Sequence, residues 1–404
     1  MTKLIALSAA LSLILPAAAQ APAAPDATAF ALALHRRIAG SANLMTSPYS
    51  LRQALGMAYV GAAGDTRAQM ARVLGAGPAF EADEKEGRRS LQDANGPATL
   101  KVANALFVKE GYTLLPGFLQ AVKEFFGAEI FVRKFGPKAV AEINRWASAA
   151  TNGKIPTILD KLDDDARAVL LNAVYFKGTW ETEFPKEKAG AAKSRRSGAN
   201  GGPYPETFHP TKGAPFPLKL MSVNEKFSHA ESAGAWQAVR LPYKGGKLAM
   251  IAVLPDEGTT LAAFRDKLDA AGWRSLRGSL RRRPGLVAIP KFTFEKTYDM
   301  IPTLRSLGMS LPFDRAKANF SGMSRPGKAE EELYFSKVVQ KTFVAVDEEG
   351  TEAAAVTAGL ASARGASMER EEPFRFVANR PFLFAIEEIG SGTILFLGEV
   401  HDPR

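Results

Sequence analysis

The sequence predicts an α+β fold built as a single domain. Three observations carry that prediction. Segments with helical periodicity gather early in the chain, strand-like runs dominate late, and neither an internal repeat nor a clean linker divides it. With 404 residues, 46% of them hydrophobic and 23% charged, the chain can bury a substantial core without covalent staples.

Taken in order, Ala29 to Ile38 has helical spacing. Ser47-Pro48-Tyr49-Ser50 opens a second helix with cap chemistry and a proline near its start, and Ser50 to Tyr59 continues it toward Gly61 and Gly64. Asp65 to Met70 starts a short helix capped by Asp65 or Thr66. Glu81 to Asp93 is charged and reads as exposed. Leu100 to Val108 reads as a strand with Ala103, Ala105 and Phe107 on one face. Pro116 to Phe126 is helical and Ala128 to Phe135 alternates as a strand. Val140 to Ala150 places Ile143, Trp146, Ala147 and Ala150 on one helical face and stops at Asn152-Gly153.

The apolar run Ala168 to Phe176 fits a strand buried on both faces, and Ala249 to Leu254 is another. Leu261 to Ala270 reads as a helix, Leu286 to Phe294 and Tyr334 to Val346 as strands. Phe374 to Val377, Phe382 to Glu387 and Thr393 to Glu399 form a terminal strand series, with Gly390-Ser391-Gly392 as a hairpin turn.

The N-terminus has the pattern of a secretory signal. Lys3 supplies the positive start, Leu4 to Leu15 the apolar stretch, and Ala17-Ala18-Ala19 an A-x-A site that places cleavage before Gln20. Residues 1–19 are therefore expected to be removed, leaving residues 20–404 as one soluble domain, secreted or periplasmic, with a loose Ala/Pro-rich start. No other stretch is long and apolar enough to anchor it in a membrane. The absence of cysteine excludes disulfides, thiolate metal sites and cysteine nucleophiles.

The net charge is +10, and loss of Lys3 leaves +9. A basic surface attracts polyanions, and Arg274, Arg277, Arg281, Arg282 and Arg283 form a candidate patch for a polyanion such as a glycosaminoglycan. A second basic cluster runs from Lys186 to Arg196 in a Gly-rich stretch. Enzyme signatures are absent: no nucleophile elbow, zinc-binding helix, phosphate-binding loop or dinucleotide fingerprint. The four histidines (His35, His209, His229 and His401) are scattered without ligand spacing, so neither a metal nor a cofactor is expected. No basic and aromatic ladder suggests nucleic-acid stacking.

Eight blocks, in order, resemble the serpin family over nearly the whole mature length. They are Asn43 to Ser50; Gly61 to Met70; Asn104 to Val108; Ile143 to Trp146 with Thr151 to Ile155; Leu171 to Trp180; Asp347 to Ala355; Asn379 to Phe384; and Leu395 to Val400. Leu171 to Trp180 (LNAVYFKGTW) is the most specific of them. The resemblance implies three β-sheets, about nine helices, a metastable native state and an exposed reactive-centre loop at about residues 348–373, whose insertion is a form of strand addition.

The hinge that the resemblance assigns to Glu348, Gly350, Thr351, Glu352, Ala353, Ala354 and Ala355 suits a loop that must become the middle strand of a sheet. Thr351, Ala353, Ala355 and Thr357 alternate as one small or β-branched set able to pass beneath the sheet. Glu352 falls on the face that stays wet, and no proline occurs before Pro373 to break the new ladder. The bland alternative is a flexible Ala-rich linker. The family register places the cut bond between Arg364 and Gly365, and an arginine there resembles a trypsin-like substrate. Met368 and Arg370 are further candidates.

The resemblance also assigns Ser47, Ser50 and Asn172 to a polar cluster beneath the point where the main sheet opens. There the family's usual histidine is Gln340, which donates and accepts without titrating. It assigns Lys291 and Trp180 to the top of the sheet, Lys291 facing Glu348. The stretch 187–206 reads as a surface-loop insertion, and Gly365 to Glu372 is longer than usual. The resulting expectation is a monomeric, non-enzymatic suicide-substrate inhibitor. It would trap trypsin-like serine proteases as covalent acyl complexes outside the cytoplasm. The alternative is a non-inhibitory carrier that is merely cut in its loop.

Overall fold

The computed structural model of the chain describes residues 26–94, 99–186, 202–326, 332–351 and 372–404. Among these residues the architecture is mixed α+β, with nine α-helices and three sheets. The apolar run read at 168–176 is the strand Ala168–Thr179, buried at nearly every position because it lies inside a six-stranded sheet with cover on both faces. Across that sheet the strands run Phe292–Asp299, Phe335–Val346, Gly350–Thr351, Ala168–Thr179, Thr99–Lys109 and Glu129–Arg133.

One face of this sheet packs Leu106, Leu170 and Val338 against the N-terminal helices, including Leu51, Leu55 and Ala58 of helix Pro48–Gly61. The other packs Ala105, Phe107, Val169 and Leu171 against Ile143 and Ala147 of helix Pro137–Ala150. That helix begins three residues before its predicted start, with proline at its first turn, and stops where Asn152 and Gly153 take positive φ.

A nine-stranded sheet follows the order Leu44–Thr46, Ile394–Val400, Phe382–Glu388, Leu248–Pro255, Trp236–Pro242, Phe216–Ser232, Arg281–Ile289 and Phe374–Val377. Gly202–Phe208 pairs on the side with Phe216–Ser232. The second core lies between the two sheets, where Val174, Phe176, Val344 and Val346 meet Met250, Phe384 and Phe396. A two-stranded ribbon pairs Tyr112–Leu114 with Ser324–Pro326.

Several sequence expectations change. The strand read at 286–294 is two strands, Arg281–Ile289 and Phe292–Asp299, which belong to different sheets and break at Pro290-Lys291. The helix read at 261–270 ends at Lys267, and Asp269 caps a new helix, Ala270–Ser279. Neither Asp65 nor Thr66 caps helix Gly64–Leu74: its cap position is Ala63, and the Thr66 hydroxyl instead accepts from the Asn319 amide at 3.0 Å.

The charged stretch 81–93 belongs to helix Phe80–Ala94, which buries Phe80, Glu84 and Leu91. Pro116–Ala121 continues into a π-helical turn, Val122–Phe126. Within the stretch read as an insertion, residues 202–206 belong to a strand rather than a surface loop, because they pair with Phe216–Ser232.

Candidate functional site: the seam of the six-stranded sheet

Strands Phe335–Val346 and Ala168–Thr179 pair in parallel from Phe335↔Ala168 to Phe343↔Tyr175. Above that point a short third strand lies between them. Thr351 pairs with Val346 on one side and Gly178 on the other, and Gly350 pairs with Thr179. The chain reaches this position through a tight reversal. The Asp347 carboxylate accepts from the Glu349 and Gly350 amides at 2.9 and 3.1 Å, and the Asp347 amide donates to the Gly350 carbonyl at 2.8 Å. Gly350 has φ +154, and a Cβ on it would lie 2.0 Å from the Gly178 oxygen, so only glycine fits.

Trp180 holds the outer side of the reversal. Its indole donates to the Asp347 carbonyl at 3.0 Å and its amide to the Glu349 carbonyl at 2.8 Å. The ring stacks on Tyr243 at 4.6 Å. The Tyr243 hydroxyl is 2.8 Å from Thr351 Oγ1, and burial pushes its pKa up, so it stays neutral. Thr351 is fully buried, on the underside of the sheet. Lys291 Nζ lies 3.0 Å from Glu348, with Lys291 half exposed, and Lys186 pairs with Glu349. An ion pair exposed to this degree adds little.

Three registers below Phe343, the seam carries a row of polar side chains. Tyr298, Gln340, Asn172 and Asn104 are successive cross-strand partners on four strands. Gln340 Nε2 donates to Asn172 Oδ1 at 2.5 Å and to the Ser47 carbonyl at 2.9 Å, while its Oε1 accepts from the Ser47 amide at 3.0 Å. Asn172 Nδ2 donates to Asn104 Oδ1 at 2.6 Å and to the Ser50 hydroxyl. The Ser47 hydroxyl donates to the Leu395 carbonyl at 2.6 Å and accepts from the Ser50 amide. Gln340, Asn172, Ser47 and Ser50 are almost completely buried, so each of these bonds replaces water that cannot reach them. The row closes the seam and ties it to helix Pro48–Gly61, with no titratable group among these four.

The seam is also covered from outside. Ile155, Ile158 and Leu159, in the segment after helix Pro137–Ala150, pack with Val339 of the seam. Asn144 pins that segment through the Ile158 and Leu159 amides and the Leu159 carbonyl. Lys341 donates to the Thr157 carbonyl and pairs with Glu295, both at 2.6 Å. A strand entering the whole seam must break the polar row and lift this cover.

The resemblance had pointed to Ser47, Ser50, Asn172, Gln340, Trp180 and Lys291, and the fold brings the first four into one cluster and the last two to the top of the seam. Asn104, Tyr298, Tyr243, Thr342 and Lys341 join them without having been singled out. Thr342 Oγ1 donates to the Met45 carbonyl at 2.9 Å, and the Met45 amide donates to the Tyr298 hydroxyl at 3.3 Å. Glu352, Ala353, Ala354, Ala355, Arg364 and Gly365 lie outside the described residues. The far end of the loop is described again from Glu372, and it leads into Phe374–Val377 at the edge of the other sheet.

The five arginines of the candidate patch do not make one field of free charge. Arg277 and Arg240 pair with the fully buried Glu387 at 2.5 and 2.8 Å, and Arg274 pairs with Asp26 at 2.5 Å. Arg283 lies 3.8 Å from Glu231 and donates to the Glu372 carbonyl. Arg281 donates to the Gly278 and Leu280 carbonyls, and Arg281 and Arg282 are exposed.

Two histidines scattered in sequence meet in space. His35 and His401 each place Nε2 within 3 Å of the fully buried Glu399, with Arg265 at 3.3 Å. Burial alone would raise the Glu399 carboxyl, but hydrogen bonds from the two imidazoles and the nearby charges outweigh it and bring its pKa to about 2. Glu399 lies on the strand whose Leu395 carbonyl receives the Ser47 hydroxyl, so this cluster anchors the floor beneath the seam. Among the described residues, no group of three or more histidines or carboxylates is placed to hold a metal ion.

Comparison with known proteins agrees with this architecture. The family model for serpins (serine protease inhibitors) matches residues 25–403. An uncharacterized serpin-like protein of Thermococcus kodakarensis is 36% identical over 384 residues, covering 93% of this chain and 84% of that protein. Leukocyte elastase inhibitor A of Rattus norvegicus is 34% identical over 397 residues, covering 93% and 97%. Among solved structures, the thermophilic serpin tengpin in its native state superposes with a TM-score of 0.82 at 30% identity, covering 94% of this chain and 93% of tengpin. The chain belongs to the serpin family, whose members are generally protease inhibitors.

Proposed function

We propose that this serpin is a suicide-substrate inhibitor of trypsin-like serine proteases and acts outside the cytoplasm. The observation that carries the reading is the position of Gly350 and Thr351, already paired on both sides at the top of a seam that is otherwise closed. The first residue of the inserting set thus sits where insertion must start, with its side chain beneath the sheet. Arg364 follows at the end of a small-residue run and supplies a guanidinium for a protease pocket that carries a carboxylate.

The protease's serine oxygen attacks the Arg364 carbonyl carbon. The bond to the Gly365 nitrogen breaks, the new amine leaves with a proton, and Arg364 remains as an ester on the protease. The freed loop then zips down the seam, displacing the Gln340–Asn172 contact and the cover held by Lys341. About fourteen residues at ~3.3 Å each would carry the ester roughly 46 Å, far enough to deform the attached protease before water cleaves the ester. Inhibition is a race between insertion and hydrolysis.

The export pattern at Lys3, Leu4 to Leu15 and Ala17 to Ala19 supports action outside the cytoplasm, and a chain recovered from culture is expected to begin at Gln20. A polyanion partner is a narrower proposal, centred on the exposed Arg281 and Arg282. The structure of protease nexin-1 was determined with heparin, and it superposes on this chain with a TM-score of 0.79 at 26% identity. Neutralising both arginines should abolish retention on a heparin column, and unchanged retention would remove this partner.

The inhibitory reading is tested by mixing the purified protein with trypsin and sequencing the products. The expected result is an SDS-stable complex and a released fragment starting at Gly365. Clean cleavage without complex would favour the non-inhibitory carrier.

A further inference from the structure

A cavity of about 140 Å³ lies between helix Pro48–Gly61, helix Phe80–Ala94 and strand Thr99–Lys109. Leu100, Val102 and Phe126 give it apolar walls, and Tyr49, Gln53 and Arg88 give it a polar side. The inhibitory mechanism uses none of these six residues. Two polar atoms here are buried without a partner among the described residues, Gln53 Oε1 and Arg88 Nε.

Hydrogen bonds fix what each of these atoms offers. Gln53 is 2% exposed, and its Nε2 donates to the Glu84 carbonyl at 3.3 Å and to the Glu84 carboxylate. Turning the amide over would set its oxygen against that carboxylate, so Oε1 stays as an unmatched acceptor. Arg88 donates from Nη2 to the Glu124 carbonyl at 3.4 Å, and no carboxylate among the described residues pairs with it. Its Nε–H is an unmatched, charged donor. The Tyr49 hydroxyl stays neutral, because burial pushes its pKa up.

A buried acceptor and a buried cationic donor left open in one cavity cost stability unless a ligand or water meets both. We propose that this cavity binds a monocyclic aromatic acid bearing a hydroxyl group, of the hydroxybenzoate class. The volume limits the ligand to a single ring, since an apolar cavity of about 150 Å³ accepts benzene. The ligand's carboxylate accepts from Arg88 Nε, its hydroxyl donates to Gln53 Oε1, and the ring lies against Leu100, Val102 and Phe126. A site built this way discriminates strongly, because an analogue lacking either group leaves a buried partner unmatched.

The test is calorimetric titration of the purified protein with 3- and 4-hydroxybenzoate, benzoate and phenol, with the Tm followed in parallel. The proposal expects saturable one-to-one binding of one hydroxybenzoate, a rise in Tm with it, and binding about tenfold weaker for benzoate and for phenol. Arg88→Met should erase the advantage of the acid over phenol, and Val102→Phe, which fills the cavity, should erase binding altogether. No saturable heat with any of the four, as for a cavity holding water only, would overturn the proposal. So would equal affinity for phenol and the hydroxybenzoates, or binding unchanged in Val102→Phe. The cavity also borders Asn104 of the seam row, but the binding test reads out whether or not the loop inhibits a protease.

Discussion

The upper end of the seam, where Gly350 and Thr351 sit between Val346 and Gly178, differs from its middle, where Gln340 and Asn172 bond directly to each other. At the top, the inserted residues are held by backbone ladders, a buried hydroxyl pair and a stacked Trp180–Tyr243 platform. In the middle, the place an inserting strand would take is filled by bonds that also secure helix Pro48–Gly61. Starting insertion therefore requires little new structure, while continuing it requires breaking a polar row whose centre, Gln340 and Asn172, is fully buried. In the proposed mechanism, the native state is held at this step.

The largest effect is expected at the top of the seam. Thr351→Arg would place a charge where the side chain is completely buried, and an uncompensated buried charge costs about 3–5 kcal/mol. The hinge should leave the seam, and the yield of covalent complex with trypsin should fall at least about tenfold while cleavage continues. Full yield of complex from this variant would show that insertion does not start at Thr351.

Gln340→Ala attacks the middle. It leaves the Ser47 amide and carbonyl and the Asn172 oxygen without that partner, at about 1–3 kcal/mol per buried group. The variant should lose inhibitory activity on mild warming, without protease, as the loop slips into the weakened seam. The pH behaviour sharpens the point. Amides do not titrate, so the native protein's conversion rate should be flat from about pH 5 to 8, whereas Gln340→His should convert faster as pH falls through about 6.5. A pH-dependent wild type would locate the barrier elsewhere.

Beneath the neutral row lies the charged Glu399 cluster, which should make acid stability differ from seam opening. The folded-state pKa of Glu399 is depressed to about 2 from 4.5, so its contribution is complete above about pH 4.5 and is lost as pH falls toward 2. At about 1.4 kcal/mol per pH unit this amounts to about 3 kcal/mol. Denaturant unfolding of Glu399→Gln from pH 6 to 2 should show a shallower loss of stability than the wild type, and parallel curves would show that the cluster does not control it. The smallest effect belongs to Lys291→Ala. Its pair with Glu348 is half exposed, so stability should change by less than about 1 kcal/mol.

The legible and illegible parts of the molecule divide along a physical line. The strand at Ala168–Thr179 was readable because burial on both faces demands an unbroken apolar run, and the helix at Pro137–Ala150 because one face alternates at helical spacing. Strands Gly202–Phe208, Phe216–Ser232 and Trp236–Pro242 were missed. They carry Pro203, Pro205, Pro217 and many polar residues, tolerated on edge or one-sided strands but masking the pattern.

Within the site, Ser47, Ser50, Asn172 and Gln340 lie in or near recognisable blocks. Tyr298 gives no such signal, and Asn104, although it opens a family block, shows nothing of its role there, because a lone polar residue in a strand gains meaning only through its cross-strand partner. The Glu399 cluster joins residues at positions 35, 265, 399 and 401, a juxtaposition that only the fold creates.

If the seam accepts the loop once the bond after Arg364 is cut, the cut protein is the more stable form. Thermal unfolding of the protein before and after limited trypsin cleavage tests it most directly. A loop that becomes a full strand, ladder-bonded on both sides, should raise Tm by more than about 10 °C. A cut protein that melts at or below the temperature of the intact one would show that the seam does not take in the loop.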